Sequence, residues 1–260
     1  MYLFNDTNKA LWGSKRVLKH YSEQEHIQKA EASILKLLKP KLSEMKMLDI
    51  GVGAGRTTMH FAHLVKEYMG IDYAKLMIDS CRKKFSGYRF ETMDVRNMSP
   101  LPSNHFDFVL FSHNGIDNMP YQDRERSLQE IARVLKQSGI FVFSTHNIHS
   151  IEALLSTISP VDSPPRKTLK WVKNGLFILM NGHPSKLKNL PYVVVNDGSW
   201  NFRLRTYYID PRIQLRELEA LGFRNSLLFS GSTGERIARN HLAMDNDPWI
   251  YFLCTHQLPL

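Results

Sequence analysis

The sequence predicts an α/β fold with a doubly wound, mostly parallel sheet. Two observations carry this expectation. Apolar strand-like runs alternate with amphipathic helical stretches from Lys46 to Asn147, which is the pattern of consecutive βαβ units. The first run, Met47-Leu48-Asp49-Ile50, passes directly into Gly51-Val52-Gly53-Ala54-Gly55 and then into the helix-compatible residues 56–62. A strand, a tight glycine turn and a helix start hold a small ligand well. Glycine backbone allows close approach, and the helix N-terminus offers free N–H groups.

The elements follow in order. Residues 1–20 have no clear periodicity. Residues 22–39 read as an amphipathic helix, with Ile27, Ala30, Ile34, Leu37 and Leu38 at helical spacing and Pro40 just beyond its end. Strands are expected at residues 47–50, 67–72, 90–95 and 106–112, and a helix, turn and fifth strand across 130–141. Crossover helices are expected to end near Val65 and to cover residues 73–85 and 124–136. After Asn147 the alternation stops, with a short helix expected at residues 151–158. Residues 159–200 hold Pro160, Pro164, Pro165, Pro184 and Pro191, the mark of a lid or binding insertion. Within it, residues 169–179 and 192–195 read as strands. Residues 203–209 read as another, and Pro211 opens a helix closed by Gly222. Residues 223–229 and 249–255 read as a final antiparallel pair.

Composition narrows the classes. The chain has 260 residues and is 43% apolar, enough for a sizeable core. It has no run of about 18 uncharged apolar residues, so no membrane span is expected. The first residues lack a basic segment followed by an apolar one, and Cys81 and Cys254 make neither a disulfide framework nor a zinc cluster. A cytoplasmic setting without a metal is therefore expected. The net charge of +9 fits a basic solvated surface, an acidic substrate, a nucleic acid or a membrane surface.

The glycine turn departs from two familiar patterns. In the dinucleotide fingerprint the third glycine would stand where this chain has Arg56. No Lys-Ser or Lys-Thr follows for a phosphate loop. Instead Asp49 precedes Gly51, Gly53 and Gly55. A carboxylate there suits a ligand with an ammonium group better than a pyrophosphate.

At this point the chain resembles the class I S-adenosylmethionine-dependent methyltransferases. Residues 49–55 look like their first motif. Glu67-Tyr68-Met69-Gly70-Ile71-Asp72, Phe90-Glu91-Thr92-Met93-Asp94-Val95 and Phe106-Asp107-Phe108-Val109-Leu110-Phe111-Ser112 look like their next three strands. The ordered series covers about residues 25–150. It implies a Rossmann-like, seven-stranded sheet with an antiparallel last strand and an insertion after the fifth strand. The expected organisation is one domain over 1–260. Residues 1–44 would form an N-terminal helical segment, 45–150 the cofactor-binding half, 159–200 a lid or acceptor-binding insertion, and 201–260 the C-terminal strands and helix.

The resemblance also implies S-adenosylmethionine as cofactor and S-adenosylhomocysteine as product. Asp49 and the Gly51 backbone would take the ammonium. Gly53 and Gly55 would shape the turn, and Arg56 and Thr57 would either contact the cofactor carboxylate or cap the helix. Asp72, 21 residues after Gly51, would grip the ribose hydroxyls. Asp94 and the Val95 backbone would meet the adenine, with Tyr73 and Met77 on its flat faces. Ser112 and His113 stand at the end of the fourth strand, facing the methyl group in this family.

His113 and His146 are candidate general bases, since a histidine near its ordinary pKa can take a proton from a hydroxyl or amine. Asp117 would orient a histidine or a cationic substrate, and His149 is a weaker candidate. Trp12 or Tyr21 would close over the cofactor. Trp171, Phe177, Tyr192 and Trp200 would cover the acceptor, and one of Tyr207 and Tyr208 would point into the site. No Asn-Pro-Pro-Tyr follows the fourth strand, which argues against the branch that methylates base or glutamine amides. The leading expectation is methyl transfer to oxygen or nitrogen of a small metabolite, with the basic residues of the insertion pointing to an anionic acceptor. The rivals are an RNA or protein methyltransferase, a catalytically silent cofactor-binding subunit and a nicotinamide oxidoreductase.

Overall fold

The structure, a computed structural model, describes Asn8, residues 10–155 and residues 163–257. After a helical stretch at residues 10–12 come two helices, α1 (Lys15–Ser22) and α2 (Lys29–Leu42). Next come β1 (Lys46–Ile50), α3 (Arg56–Phe61), β2 (Glu67–Asp72), α4 (Lys75–Lys84), β3 (Arg89–Thr92) and β4 (Phe106–Phe111). Helix α5 (Tyr121–Val134) leads into the long β5 (Leu135–Asn147). The second half holds α6 (Pro164–Asn181), α7 (Pro184–Leu187), β6 (Tyr192–Val195), β7 (Thr206–Ile209), α8 (Pro211–Ala220), β8 (Phe223–Ser230), β9 (Arg236–Ile237) and β10 (Trp249–His256).

The main sheet runs β3-β2-β1-β4-β5-β10-β8-β9. Strands β3, β2, β1, β4 and β5 are parallel, and β10 is antiparallel to both β5 and β8. The expected seven-stranded sheet is thus present, with the short β9 added at its edge. Strand β5 outruns β4. Beyond Phe143 the strand β7 pairs with it at His146 and Asn147, and β6 pairs antiparallel with β7. The order reverses between β1 and β4, which is where open α/β sheets bind ligands.

Strand β4 shows how the core is divided. Phe108 and Leu110 pack on the side of α2 with Met47, Val142 and Tyr251. Val109 and Phe111 pack on the other side with Leu48, Ile50, Phe141 and Phe143. Alternation along the strand sends successive side chains to opposite layers.

Three element readings are corrected. The first helix after α1 begins at Lys29 rather than residue 22, because Gln28 caps it: its N–H donates to Glu31 Oε2 at 2.8 Å. Pro40 lies inside that helix, which continues to the buried Leu42. Residues 169–179 are helical rather than extended. Pro164 and Pro165 start α6 at positions where a missing N–H costs nothing. Of the expected helix at 151–158, residues up to Leu154 belong to a 3-10 turn beginning at Ile148; residues 156–162 lie outside the described residues.

Candidate active site

A cavity opens at the reversal between β1 and β4, over the turn that joins β1 to α3. Gly51, Gly53 and Gly55 all have positive φ, +65°, +55° and +89°. A Cβ on Gly55 would stand 2.3 Å from Phe85 Cε2, so that glycine lets the turn close against α4. Gly51 and Gly53 line the cavity; Gly55 lies outside its wall.

Two acids from strand ends sit at its floor. Asp49 is 1% exposed and accepts hydrogen bonds from Thr57 Oγ1 (2.5 Å) and Tyr68 OH (2.7 Å). Burial pushes its carboxyl up to about 7. Asp72 accepts from the Gly53 and Ala74 N–H groups at 3.0 and 2.8 Å, and burial pushes it up to about 6. In each case desolvation of the charged form outweighs the hydrogen bonds that favour it.

Asp94 lines the cavity farther along, held in a fork by Arg96, whose Nε and Nη2 donate at 2.9 and 2.6 Å. Arg96 also reaches Asp123 at 2.7 Å. Tyr73, Met77 and Val95 complete that end. From α1 and the segment before it, Trp12 and Tyr21 stand in the wall, their rings 5.3 Å apart. The Trp12 indole N–H is buried without a hydrogen-bond partner among the described residues.

Arg56 is expected from the sequence to contact a ligand carboxylate or to cap the helix. It lines the cavity and is paired with Glu31 of α2, its Nη2 donating to Oε1 at 2.7 Å. The Glu31 side chain is fully buried and also accepts from Ser112 Oγ and, at 3.3 Å, from Tyr251 OH. The paired guanidinium holds its carboxyl below the ordinary range despite burial. Glu31 escaped the sequence reading. Its only signal is local: it stands at the capping position three residues after Gln28.

The loop after β4 carries the other candidates. His113 lines the cavity with its ring edge-on to Tyr21 and Trp249. Burial lowers it to about 4, so it is neutral near pH 7. Asp117 is fully buried and does not line the cavity. It accepts from Arg124 Nη1, from Thr145 Oγ1 at 2.7 Å, and from both the backbone N–H and ring Nδ1 of His146 at 2.7 Å. It is thus hydrogen-bonded to His146, the histidine of the two expected partners, and is buried away from the cavity. With Nδ1–H given to Asp117, the lone pair of His146 sits on Nε2, 3.4 Å from the Asn114 amide nitrogen. His146 lies outside the cavity wall, with Tyr208 and Trp249 packed against its ring.

Arg124 was not anticipated. It also donates to Gln214 of α8 and lies 4.3 Å from the centre of the Tyr207 ring. Tyr207 and Tyr208 face opposite ways, as alternation requires: Tyr208 toward His146, Tyr207 toward Arg124 and Tyr192. His149 is directed to Asp210, 3.7 Å away. Trp171 is 71% exposed and lines neither the cavity over the glycine turn nor the cleft beyond α1. Tyr192 stacks between Tyr121 and Tyr207, Phe177 is buried beside Tyr208, and Trp200 lies near His20 and Tyr21.

Comparison with known proteins agrees with this arrangement. A family profile described as a methyltransferase domain matches residues 48–143. The chain is 31% identical to the uncharacterized methyltransferase YcgJ of Bacillus subtilis over 40% of its own length and 42% of that protein's. It is 22% identical to the ubiquinone/menaquinone biosynthesis C-methyltransferase UbiE of Campylobacter jejuni, over 81% of this chain and 96% of the relative. Among solved structures, an S-adenosylmethionine dependent methyltransferase from Mesorhizobium loti superposes with a TM-score of 0.60 at 17% identity, covering 87% of this chain and 98% of that one. With the glycine turn, the strand-end acids and the 3-2-1-4-5 sheet order already in place, residues 48–143 are similar to the methyltransferase-domain family, and the fold is that of the S-adenosylmethionine dependent methyltransferase it superposes on.

Proposed function

We propose that this enzyme transfers the methyl group of S-adenosylmethionine to an oxygen or nitrogen of a small metabolite. The cavity suits the cofactor by charge and shape. Two buried acids at its floor match a ligand that carries a sulfonium and an ammonium, and Arg56 offers a partner for the ligand carboxylate. The unpartnered Trp12 N–H is a further donor at the wall. Asp49 and the Gly51 backbone would hold the ammonium, Asp72 the ribose hydroxyls, and Asp94 with the Val95 backbone the adenine. Tyr73 and Met77 would cover its faces, and Ser112 and His113 would border the methyl end. When bound, the cofactor supplies an electrophilic methyl carbon and a neutral thioether as leaving group.

The chain's own share is positioning, which accounts for much of the rate in an in-line displacement, together with the acceptor's proton. His146 is the candidate base. The observation that carries this reading is the buried Asp117 carboxylate behind its Nδ1, which fixes the tautomer with Nε2 as the acceptor, 3.4 Å from the Asn114 amide nitrogen. His113, held neutral by burial, borders the cavity as a wall rather than as a cation. The insertion would form the acceptor side through Tyr192, which stacks on Tyr121 and Tyr207. An anionic group on the acceptor is supported by the cleft beyond α1, lined by Arg16, Arg203 and Arg205.

The test is turnover with methyl-labelled cofactor against a panel of hydroxyl, amine and activated-carbon acceptors, with the methylated atom identified by mass spectrometry and NMR. Oxygen or nitrogen methylation that His146→Gln slows at least tenfold, with S-adenosylhomocysteine affinity unchanged, supports the proposal. Methylation at carbon, the chemistry in the name of the Campylobacter relative, would overturn the acceptor assignment.

A further inference from the structure

Helix α6 is amphipathic the wrong way round for a part of the fold. Its body side carries Lys167, Lys170, Asn174 and Asn181, all half-buried, around the buried Phe177. Asn181 ties that side down: its amide donates to the Asn196 carbonyl at 3.0 Å, and its oxygen accepts from the Asn196 N–H at 2.8 Å. The opposite side presents Leu169, Val172, Leu176 and Leu179 to solvent, a stripe at i, i+3, i+7 and i+10. Leu179 is 82% exposed, and Met180 and Trp171 extend the surface. Scattered surface apolar groups need no explanation, but a contiguous stripe on one helix does.

We propose that this face of α6 docks on an anionic lipid surface. Charge selects that occupant. The exposed charges of residues 164–195, Arg166 and Lys173 on α6 and Lys186 on α7, are all basic, and the stretch has no Asp or Glu. Basic residues beside an apolar stripe with a tryptophan are the features that hold a helix in the plane of a bilayer interface. A second copy of the chain fits poorly. A two-fold contact through α6 would set the same cationic stretch against itself. Phe177 packs with Ile148, Ile151 and Tyr208, next to the end of β5. Docking would therefore bring the acceptor side of the molecule to the bilayer. The inference rests on the exposed face alone and stands whether or not His146 is the base.

The experiment is co-sedimentation of the full chain with phosphatidylcholine vesicles and with vesicles containing phosphatidylglycerol, at low and high salt. The chain is expected to pellet with the anionic vesicles and to be released by salt. The double variant Leu169→Ser, Leu179→Ser and, separately, Lys173→Glu are expected to lower the partition coefficient at least fivefold while S-adenosylhomocysteine affinity stays unchanged. Failure of the wild type to pellet with anionic vesicles overturns the proposal, as does a double variant that pellets equally well. A wild-type dimer in analytical ultracentrifugation that the double variant converts to monomer also overturns it, by giving the face to a second copy.

Discussion

Cofactor affinity should rise with pH, because the cavity holds acids that burial keeps partly protonated. Asp49 sits at about 7 and Asp72 at about 6. The groups around Asp49 are Thr57, Tyr68, Arg56 and Glu31, and desolvation outweighs their influence. A ligand ammonium requires the ionised carboxylate, so binding expels a proton from whichever acid still carries one. If only the ionised forms bind, each acid multiplies the apparent dissociation constant by one plus ten to the power (pKa − pH). Between about pH 8 and about pH 6 that factor grows roughly tenfold for Asp49 and about twofold for Asp72, roughly twentyfold together or about 1.8 kcal/mol. Calorimetric titration with S-adenosylhomocysteine across this range measures it. Repeating the titration near pH 6.5 in buffers of different ionisation enthalpy should show about one proton released per ligand bound. A flat or falling affinity, or an unchanged slope in Asp49→Asn, would refute the reasoning.

Other consequences follow from the same geometry. A carboxyl whose folded pKa is raised stabilises the fold below its ordinary value and loses that contribution as pH rises through the raised one. The ligand-free chain should therefore lose stability through Asp49 between about pH 4 and about pH 7, and urea midpoints of Asp49→Asn should fall less over that window. Asp72→Ala should weaken S-adenosylhomocysteine at least tenfold in equilibrium titration, by removing acceptor bonds to the ribose worth about 1.5–3 kcal/mol each; unchanged affinity would misplace the ribose. Glu31→Gln leaves the largely buried Arg56 without its carboxylate and should cost about 3–5 kcal/mol in denaturant unfolding. A loss under about 1 kcal/mol would mean that water reaches the pair. Gly55→Ala should destabilise more than Gly53→Ala in thermal melts. Both have positive φ, but the new Cβ clashes with Phe85 only at Gly55, while the nearest atom at Gly53 is 4.0 Å away. Equal losses would remove the clash from the account.

What could be read from the sequence was what is local. Strands β1, β2 and β4 are short apolar runs with an acid or small polar residue at the end, and each acid marks a ligand-facing tip because chain direction fixes which end that is. Contacts between elements were not legible. Asp117 and His146 were each picked out, yet nothing in their separation showed that one accepts two hydrogen bonds from the other. Glu31, Arg56, Ser112 and Tyr251 come from four parts of the chain and meet only in the folded core. Helix α6 misled for a different reason. Trp171, Val172, Phe177 and Ile178 favour strands by local preference. The periodicity of its apolar residues is helical, but it points away from the core, so it could not be matched to any layer of the fold.

The two buried ion pairs explain how the loop after β4 keeps its shape. His113 and Asn114 both have positive φ, +54° and +55°, a conformation that costs free energy in residues with side chains. At one end of the loop Ser112 Oγ donates to Glu31, which is locked to Arg56. At the other, Asp117 is locked to Arg124, Thr145 and His146. Between them the Asn114 N–H donates to Ser144 Oγ at 2.7 Å. A buried ion pair adds little net stability, because desolvation offsets the attraction. It does fix direction, since breaking either partner is costly. The strained segment is thus anchored on both sides by groups that cannot easily move. One anchor, Arg56, lines the cofactor cavity, and the other, Asp117, holds His146. A site that must keep an acceptor atom in line with a methyl carbon needs its two halves in fixed relation, and these pairs are where the fold supplies it.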